Sequence, residues 1–123
     1  MRTLISLSEH EKNYAMSRAV VQGDWCFVSG SVGYDENGEL PESAAAQAEN
    51  TFTTIKRALS EGGFALSDTV RVQYTVSDPA YIDDVLPVIR AEFGEILPAA
   101  TMVIASLVNP AMKIEIEVTA FKG

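Results

Sequence analysis

The chain has 123 residues, 47% of them hydrophobic, which suits one domain (residues 1–123) with its own core. Seventeen acidic against nine basic side chains leave a net charge of −8, which disfavours nucleic acid, since affinity for a polyanion rests largely on Lys and Arg neutralising phosphates. No apolar stretch approaches the roughly 18 residues of a membrane span, and no basic segment followed by an apolar run marks a leader peptide, so the expected compartment is the cytoplasm and no membrane partner is expected.

Arg2 to Ser6 reads as a short edge strand, followed by a polar loop through Ser8-Glu9-His10-Glu11-Lys12-Asn13. Ala19–Gln22 and Trp25–Ser29 read as a hairpin turned at Gly23-Asp24. Cys26, the only cysteine, lies among Trp25, Phe27 and Val28 and is expected to be a buried small hydrophobe rather than a nucleophile. Gly30-Ser31-Val32-Gly33 lacks the lysine and the immediate helix of a phosphate cradle, and Asp35-Glu36-Asn37-Gly38 is a turn.

A helix is expected from Ala44 to Glu61, capped by Ser43 and stopped by Gly62-Gly63, with Ala45, Ala48, Phe52, Ile55 and Leu59 as its apolar stripe. Val70, Val72, Tyr74 and Val76 alternate with Arg71, Gln73 and Thr75 in a strand. Asp78-Pro79 opens a second helix reaching Phe93, with Ile82, Val85, Ile89 and Phe93 inward and Pro87 as a kink point.

Residues 101–108 are almost continuously apolar, the pattern of a strand covered on both faces. Residues 113–121 alternate: Ile114, Ile116, Val118 and Ala120 share one face, and Lys113, Glu115, Glu117, Thr119 and Phe121 the other. Glu115 and Glu117 then stand about 7 Å apart on one face, a spacing open to a paired acid and base or to a merely solvated pair. The order β-β-β-α-β-α-β-β gives an α+β fold, a mixed six-stranded sheet with two helices packed on one face. Its second face needs cover, either from another subunit or from the N-terminal loop. One histidine, one cysteine and scattered carboxylates supply no metal-ligand spacing, so no metal and no cofactor are expected.

Pro98-Ala99-Ala100-Thr101 followed by Lys113-Ile114-Glu115-Ile116-Glu117 resembles the C-terminal signature of the Rid/YjgF family, the reactive intermediate deaminases, also called L-PSP endoribonucleases. Phe27-Val28-Ser29-Gly30, the helix from Gln47 to Leu59 and Asp68-Thr69-Val70-Arg71-Val72 match the same family in order and spacing, so the resemblance runs from about Arg18 onward. It implies a chorismate mutase-like homotrimer with small-metabolite clefts between subunits and hydrolytic deamination of imines or enamines. It also implies Glu115 as the catalytic acid, and Ser29, Gly30, Ala100 and Thr101 as substrate-binding positions, with Tyr14 supplying the cleft tyrosine of many members.

One departure alters the expected specificity. Deaminating members carry Arg where this chain has Ala100, and a planar guanidinium there can clamp a carboxylate with two parallel hydrogen bonds. An Asn found in the second helix of many deaminases falls on Leu86. Arg18 could replace the missing guanidinium or could be a surface residue; Arg71 is a weaker candidate that could pair with Glu115 or Glu117 across the sheet. The resemblance therefore leaves a hydrolytic deaminase of altered specificity beside a non-catalytic small-molecule-binding or chaperone-like protein, with an endoribonuclease or translation inhibitor disfavoured by charge.

Overall fold

The computed structural model describes residues 1–123. In chain order the elements are β1 (Arg2–Ile5), α1 (Glu9–Asn13), β2 (Ala19–Gln22), β3 (Trp25–Ser31), α2 (Ala44–Glu61), β4 (Thr69–Val76), α3 (Ile82–Phe93), β5 (Ala99–Ile104) and β6 (Ile114–Phe121). The six strands form one sheet in the order β1-β2-β3-β6-β4-β5. Every pairing is antiparallel except β4 with β5, which α3 joins as a parallel crossover.

α2 forms as its sequence dictates. The Ser43 hydroxyl accepts from the Ala46 amide at 3.0 Å, and Gly63, at φ +83°, turns the chain out of the helix in a conformation other residues resist. Its buried stripe begins at Ala44 rather than Ala45 and runs through Ala48, Phe52, Ile55 and Leu59. Phe52, Ile55 and Leu59 are fully buried, a burial worth roughly 1.5–3 kcal/mol for each side chain. α3 lies beside α2, with Phe93 edge-on to Phe52 at 5.3 Å between ring centroids. Pro87 sits inside α3 on its exposed side.

Both helices cover the sheet face carrying Val28, Val72, Tyr74, Val76, Ile114, Ile116 and Val118. Gly33 is required for this packing, because a β-carbon there would stand 2.5 Å from the backbone of Gln47 in α2. Gln47 in turn accepts from the Lys113 amide and donates to the carbonyls of Pro41 and Ala111, fastening the loop before β6 to the helix.

Three expectations need correction. Ser8 to Asn13 is not a plain polar loop: Ser8 and Glu11 make a reciprocal capping box that starts α1. The second helical region begins as a 3-10 turn, Pro79–Tyr81, before α3 proper. The apolar run 101–108 is not a strand buried on both sides, because β5 ends at Ile104 and lies at the sheet edge, with Ile104 and Val108 exposed. Its sequence reads as two-sided burial only if something outside this chain covers it.

On the open face, Trp25 stacks near Phe27 and touches Phe121 at a centroid separation of 4.6 Å, and Leu4 is exposed on β1. The row on β4 is polar, with Glu115 opposite Thr75 and Glu117 opposite Gln73, and β5 adds Ala99, Thr101 and Val103 beyond it.

Candidate functional site

β3 and β6 build the site between them. Val28 pairs with Val118 and Ser31 with Ile116, so three steps along β3 match two along β6 and the chain bulges at Ser29-Gly30. Glu115, one residue beyond Ile116 on the open face, lays its carboxylate on this bulge. A β-carbon at position 30 would stand 2.7 Å from Glu115 Cδ and 2.9 Å from each of its oxygens, so only glycine leaves room.

Glu115 is half-buried, and its proton affinity is raised above the ordinary carboxylate range. Desolvation is the largest cause, and repulsion from Glu117 adds to it; attraction to Arg18 opposes both. A carboxyl with raised affinity keeps its proton to higher pH than an ordinary one, which suits it to hand that proton over and take it back.

Arg18 is 7% exposed, with its fork already engaged. Nη1 donates to the Gly30 carbonyl at 2.8 Å and to Ser31 Oγ at 3.2 Å, while Nε and Nη2 both donate to Glu11 Oε2 at 3.4 Å. It is therefore neither a surface arginine nor an open clamp in this chain. Glu11 is itself buried and accepts from the amides of Leu7 and Ser8 and the hydroxyls of Ser6 and Ser8. Desolvation pushes its pKa up, but these hydrogen bonds outweigh it and hold the pKa at about 2. The sequence signal for Glu11 is Ser8-Glu9-His10-Glu11, which spells the capping box seen here but gives no sign of the Arg18 contact.

The Ser29 hydroxyl donates to the Ser17 carbonyl at 2.7 Å, and the Ser29 amide donates to the Arg18 carbonyl at 2.9 Å. Arg18, Ser29, Gly30 and Glu115 thus form one contiguous cluster. Tyr14 is not part of it: it is exposed at the end of α1, stacked on His10 at 4.5 Å.

Ala100 and Thr101 lie on β5, two strands from β6. The register pairs Ala100 with Val72 and Thr101 with Gln73, so Ala100 shares the helix-covered face while Thr101 shares the face of Glu115. Ala100 and Glu115 consequently lie on opposite faces of the sheet within one chain. Arg71 donates to Thr101 Oγ1 at 3.1 Å and makes no ion pair with Glu115 or Glu117. Cys26 is fully buried, and desolvation raises its thiol pKa, so it is shielded from reaction. No three His, Cys, Asp or Glu side chains gather to hold a metal ion. A cavity of about 330 Å³ lined by Ser77, Asp78, Tyr81, Ser106, Leu107 and Met112 opens beyond the ends of β4 and β5, and Glu115 is not part of its lining.

A six-stranded mixed sheet carrying two helices on one face, with an acid resting on a Ser-Gly bulge, marks a small α+β domain of the L-PSP type. The family model described as Endoribonuclease L-PSP matches residues 8–122. A RutC family protein of Pyrococcus abyssi is 32% identical over 108 residues, covering 86% of this chain and 85% of the relative. A crystal structure of a YjgF family member from Mycobacterium tuberculosis superposes with a TM-score of 0.90 at 33% identity, covering 99% of this chain and all of that one. The structure of RidA from an Antarctic Psychrobacter superposes at 0.81 with 31% identity, covering 86% and 87% of the two chains. The chain belongs to the Rid/YjgF family. No helix is long and apolar enough to cross a membrane.

Proposed function

We propose that this protein is a cytoplasmic homotrimer that takes a small metabolite into clefts between subunits and hydrolyses its imine or enamine group. The observation that carries the reading is Glu115: a half-buried acid of raised proton affinity, seated on Gly30, on a sheet face that its own chain leaves open. Protonated Glu115 gives its proton to the imine nitrogen and water adds to the carbon. Glu115 then takes up the proton this addition releases and returns it to the carbinolamine nitrogen; ammonia leaves as the carbon–nitrogen bond breaks, and the hydroxyl proton passes to Glu115 as the carbonyl forms. The net change is imine plus water to carbonyl plus ammonia, with no cofactor consumed.

The exposed Trp25, Phe27 and Phe121 cluster favours a second copy as the cover of the open face. The opposite-face placement of Ala100 and Glu115 has the same implication: a ligand touching both positions must lie between subunits. Ser29, Gly30 and Thr101 are the polar positions we assign to ligand contact. Ala100 supplies no counter-charge, and the Arg18 fork is committed inward, so the preferred substrate is not held by a carboxylate in the bidentate manner.

Freshly generated imines with and without a carboxylate, followed by stopped flow, test the proposal. Faster loss of the uncharged imine than the buffer rate supports it. Background rates for every imine, with small-molecule binding retained, would instead favour the binding-protein alternative.

A further inference from the structure

The buried Arg18 and Glu11 pair has no place in the chemistry above, yet it reaches the site from behind. Arg18 enters from the segment before β2, and Glu11 comes from α1, an element outside the main helical layer. Residues in a bulge step out of the regular ladder, leaving their peptide groups to find other partners. At Gly30 the partner is Arg18 Nη1, at 2.8 Å from the carbonyl oxygen, and the same nitrogen holds Ser31 Oγ on the next residue. The Ser31 hydroxyl closes the bulge by donating to the Ser29 carbonyl at 2.9 Å. Glu11 keeps the guanidinium aimed there, and its own remaining capacity is spent on the amides and hydroxyls at the start of α1.

We propose that Arg18, aimed by Glu11, is a positioning residue for the Glu115 site: it fixes the Gly30 peptide plane on which the Glu115 carboxylate rests and sets a buried cation beside that carboxylate. Its weight for catalysis rests on the function proposed above; the positioning itself does not. The charged groups facing Glu115 are Glu117 on its own strand and Arg18, with Glu11 behind Arg18. β4 opposes it with Thr75, and β3 offers only Ser29, Gly30 and Ser31. Removing the guanidinium leaves Glu117 as the dominant charge, so Glu115 should hold its proton to higher pH.

Carboxyl-carbon NMR titration of the ligand-free protein reads this directly, alongside amide exchange at Ser31, whose N–H shares a peptide plane with the Gly30 carbonyl. Arg18→Gln should move the Glu115 midpoint upward and speed Ser31 exchange about tenfold, the size of losing one hydrogen bond to a charged donor. Arg18→Lys keeps the charge without the fork; it should restore much of the midpoint but not the slow exchange. Ser31→Ala deletes one contact from the same guanidinium but keeps its charge, and serves if the Arg18 variants fail to fold; it should speed Ser31 exchange while leaving the midpoint close to its place. An unchanged Glu115 midpoint in folded Arg18→Gln, or unchanged Ser31 exchange in Ser31→Ala if Arg18→Gln does not fold, would overturn the proposal. If the imine assay fails while these shifts appear, the positioning stands and the chemistry assigned to the site falls.

Discussion

The Glu115 carboxylate lies against the α-carbon of Gly30, closely enough that one added methyl group would take its place. Gly30 and Gly33 are three residues apart, yet their crowding differs in kind. At Gly30 the neighbour is the far end of a flexible side chain; at Gly33 it is the backbone of α2.

Gly30→Ala should therefore fold, since Glu115 can swing away, at a cost of about 1 kcal/mol or less. It should lose ligand binding and any turnover. Gly33→Ala must displace helix backbone and should cost more than about 3 kcal/mol. Urea unfolding of the two variants, paired with ligand titration of the first, checks both; equal stability losses would refute the distinction.

Acid should weaken the fold through Glu11. Its folded pKa of about 2 lies below the unfolded value of 4.5, so the charged form is favoured by folding. That contribution is complete above the unfolded pKa and is lost as pH falls through the range between the two values. The difference corresponds to on the order of 3 kcal/mol. Glu11→Gln should flatten the acid limb of the stability curve between about pH 5 and pH 2, and melts at closely spaced pH values would measure it.

Much of the fold was legible because its signals are local. Ser43, the three-and-four spacing of Ala48, Phe52, Ile55 and Leu59, and the alternation from Ile114 to Ala120 each act within one element, and the structure follows them. Only the family resemblance separates Glu115 from Glu117 in the sequence; in the structure Glu115 is the half-buried member of the pair. The inward role of Arg18 was hidden because its partners lie on three separate segments, which no spacing rule connects. Residues 101–108 differ for another reason: apolar side chains mark a strand suited to cover on both faces, and within this chain β5 lies at the sheet edge with Ile104 exposed.

Ala100→Arg should confer carboxylate binding if the proposed inter-subunit cleft forms. Ala100 is exposed in the single chain, so a longer side chain meets no packed core. A bidentate pair is worth roughly 1.5–3 kcal/mol, which corresponds to about tenfold to a hundredfold tighter binding of small carboxylates. Calorimetry with a series of short-chain carboxylates and their amides measures the gain; equal gains for the amides would exclude a charge clamp.

RNA should be neither bound nor cut at physiological salt, despite the family's endoribonuclease name. The net charge is −8, Arg18 is buried against Glu11, and Lys56 is paired with Glu92 at 2.7 Å. The cations that remain are scattered rather than gathered into a stripe that could neutralise successive phosphates. Fluorescence anisotropy with a labelled single-stranded RNA should show no saturable binding at micromolar protein. Submicromolar affinity with a steep salt dependence would contradict this.

Glu115 and Glu117 offer the sharpest comparison, because they are chemically identical, share a strand face and differ only in surroundings. Glu115 is half-buried on Gly30, whereas Glu117 is exposed opposite Gln73. The folded state raises the Glu115 pKa, so ionising it costs stability as pH rises from the unfolded value through the folded one. Glu115→Gln removes that cost and should raise the melting temperature at pH 7, with the gain disappearing below about pH 4, where the carboxyl is protonated in both states. The same variant can neither donate nor accept the proton and should abolish imine hydrolysis. Glu117→Gln should retain turnover while lowering the Glu115 midpoint, since it deletes a repelling charge, and the alkaline limb of the pH–rate profile, on which activity falls as Glu115 loses its proton, should move down with it. Melts and pH–rate profiles on both variants measure these outcomes together; a stability gain at pH 7 for Glu117→Gln alone, or loss of turnover in both folded variants, would place the working acid elsewhere.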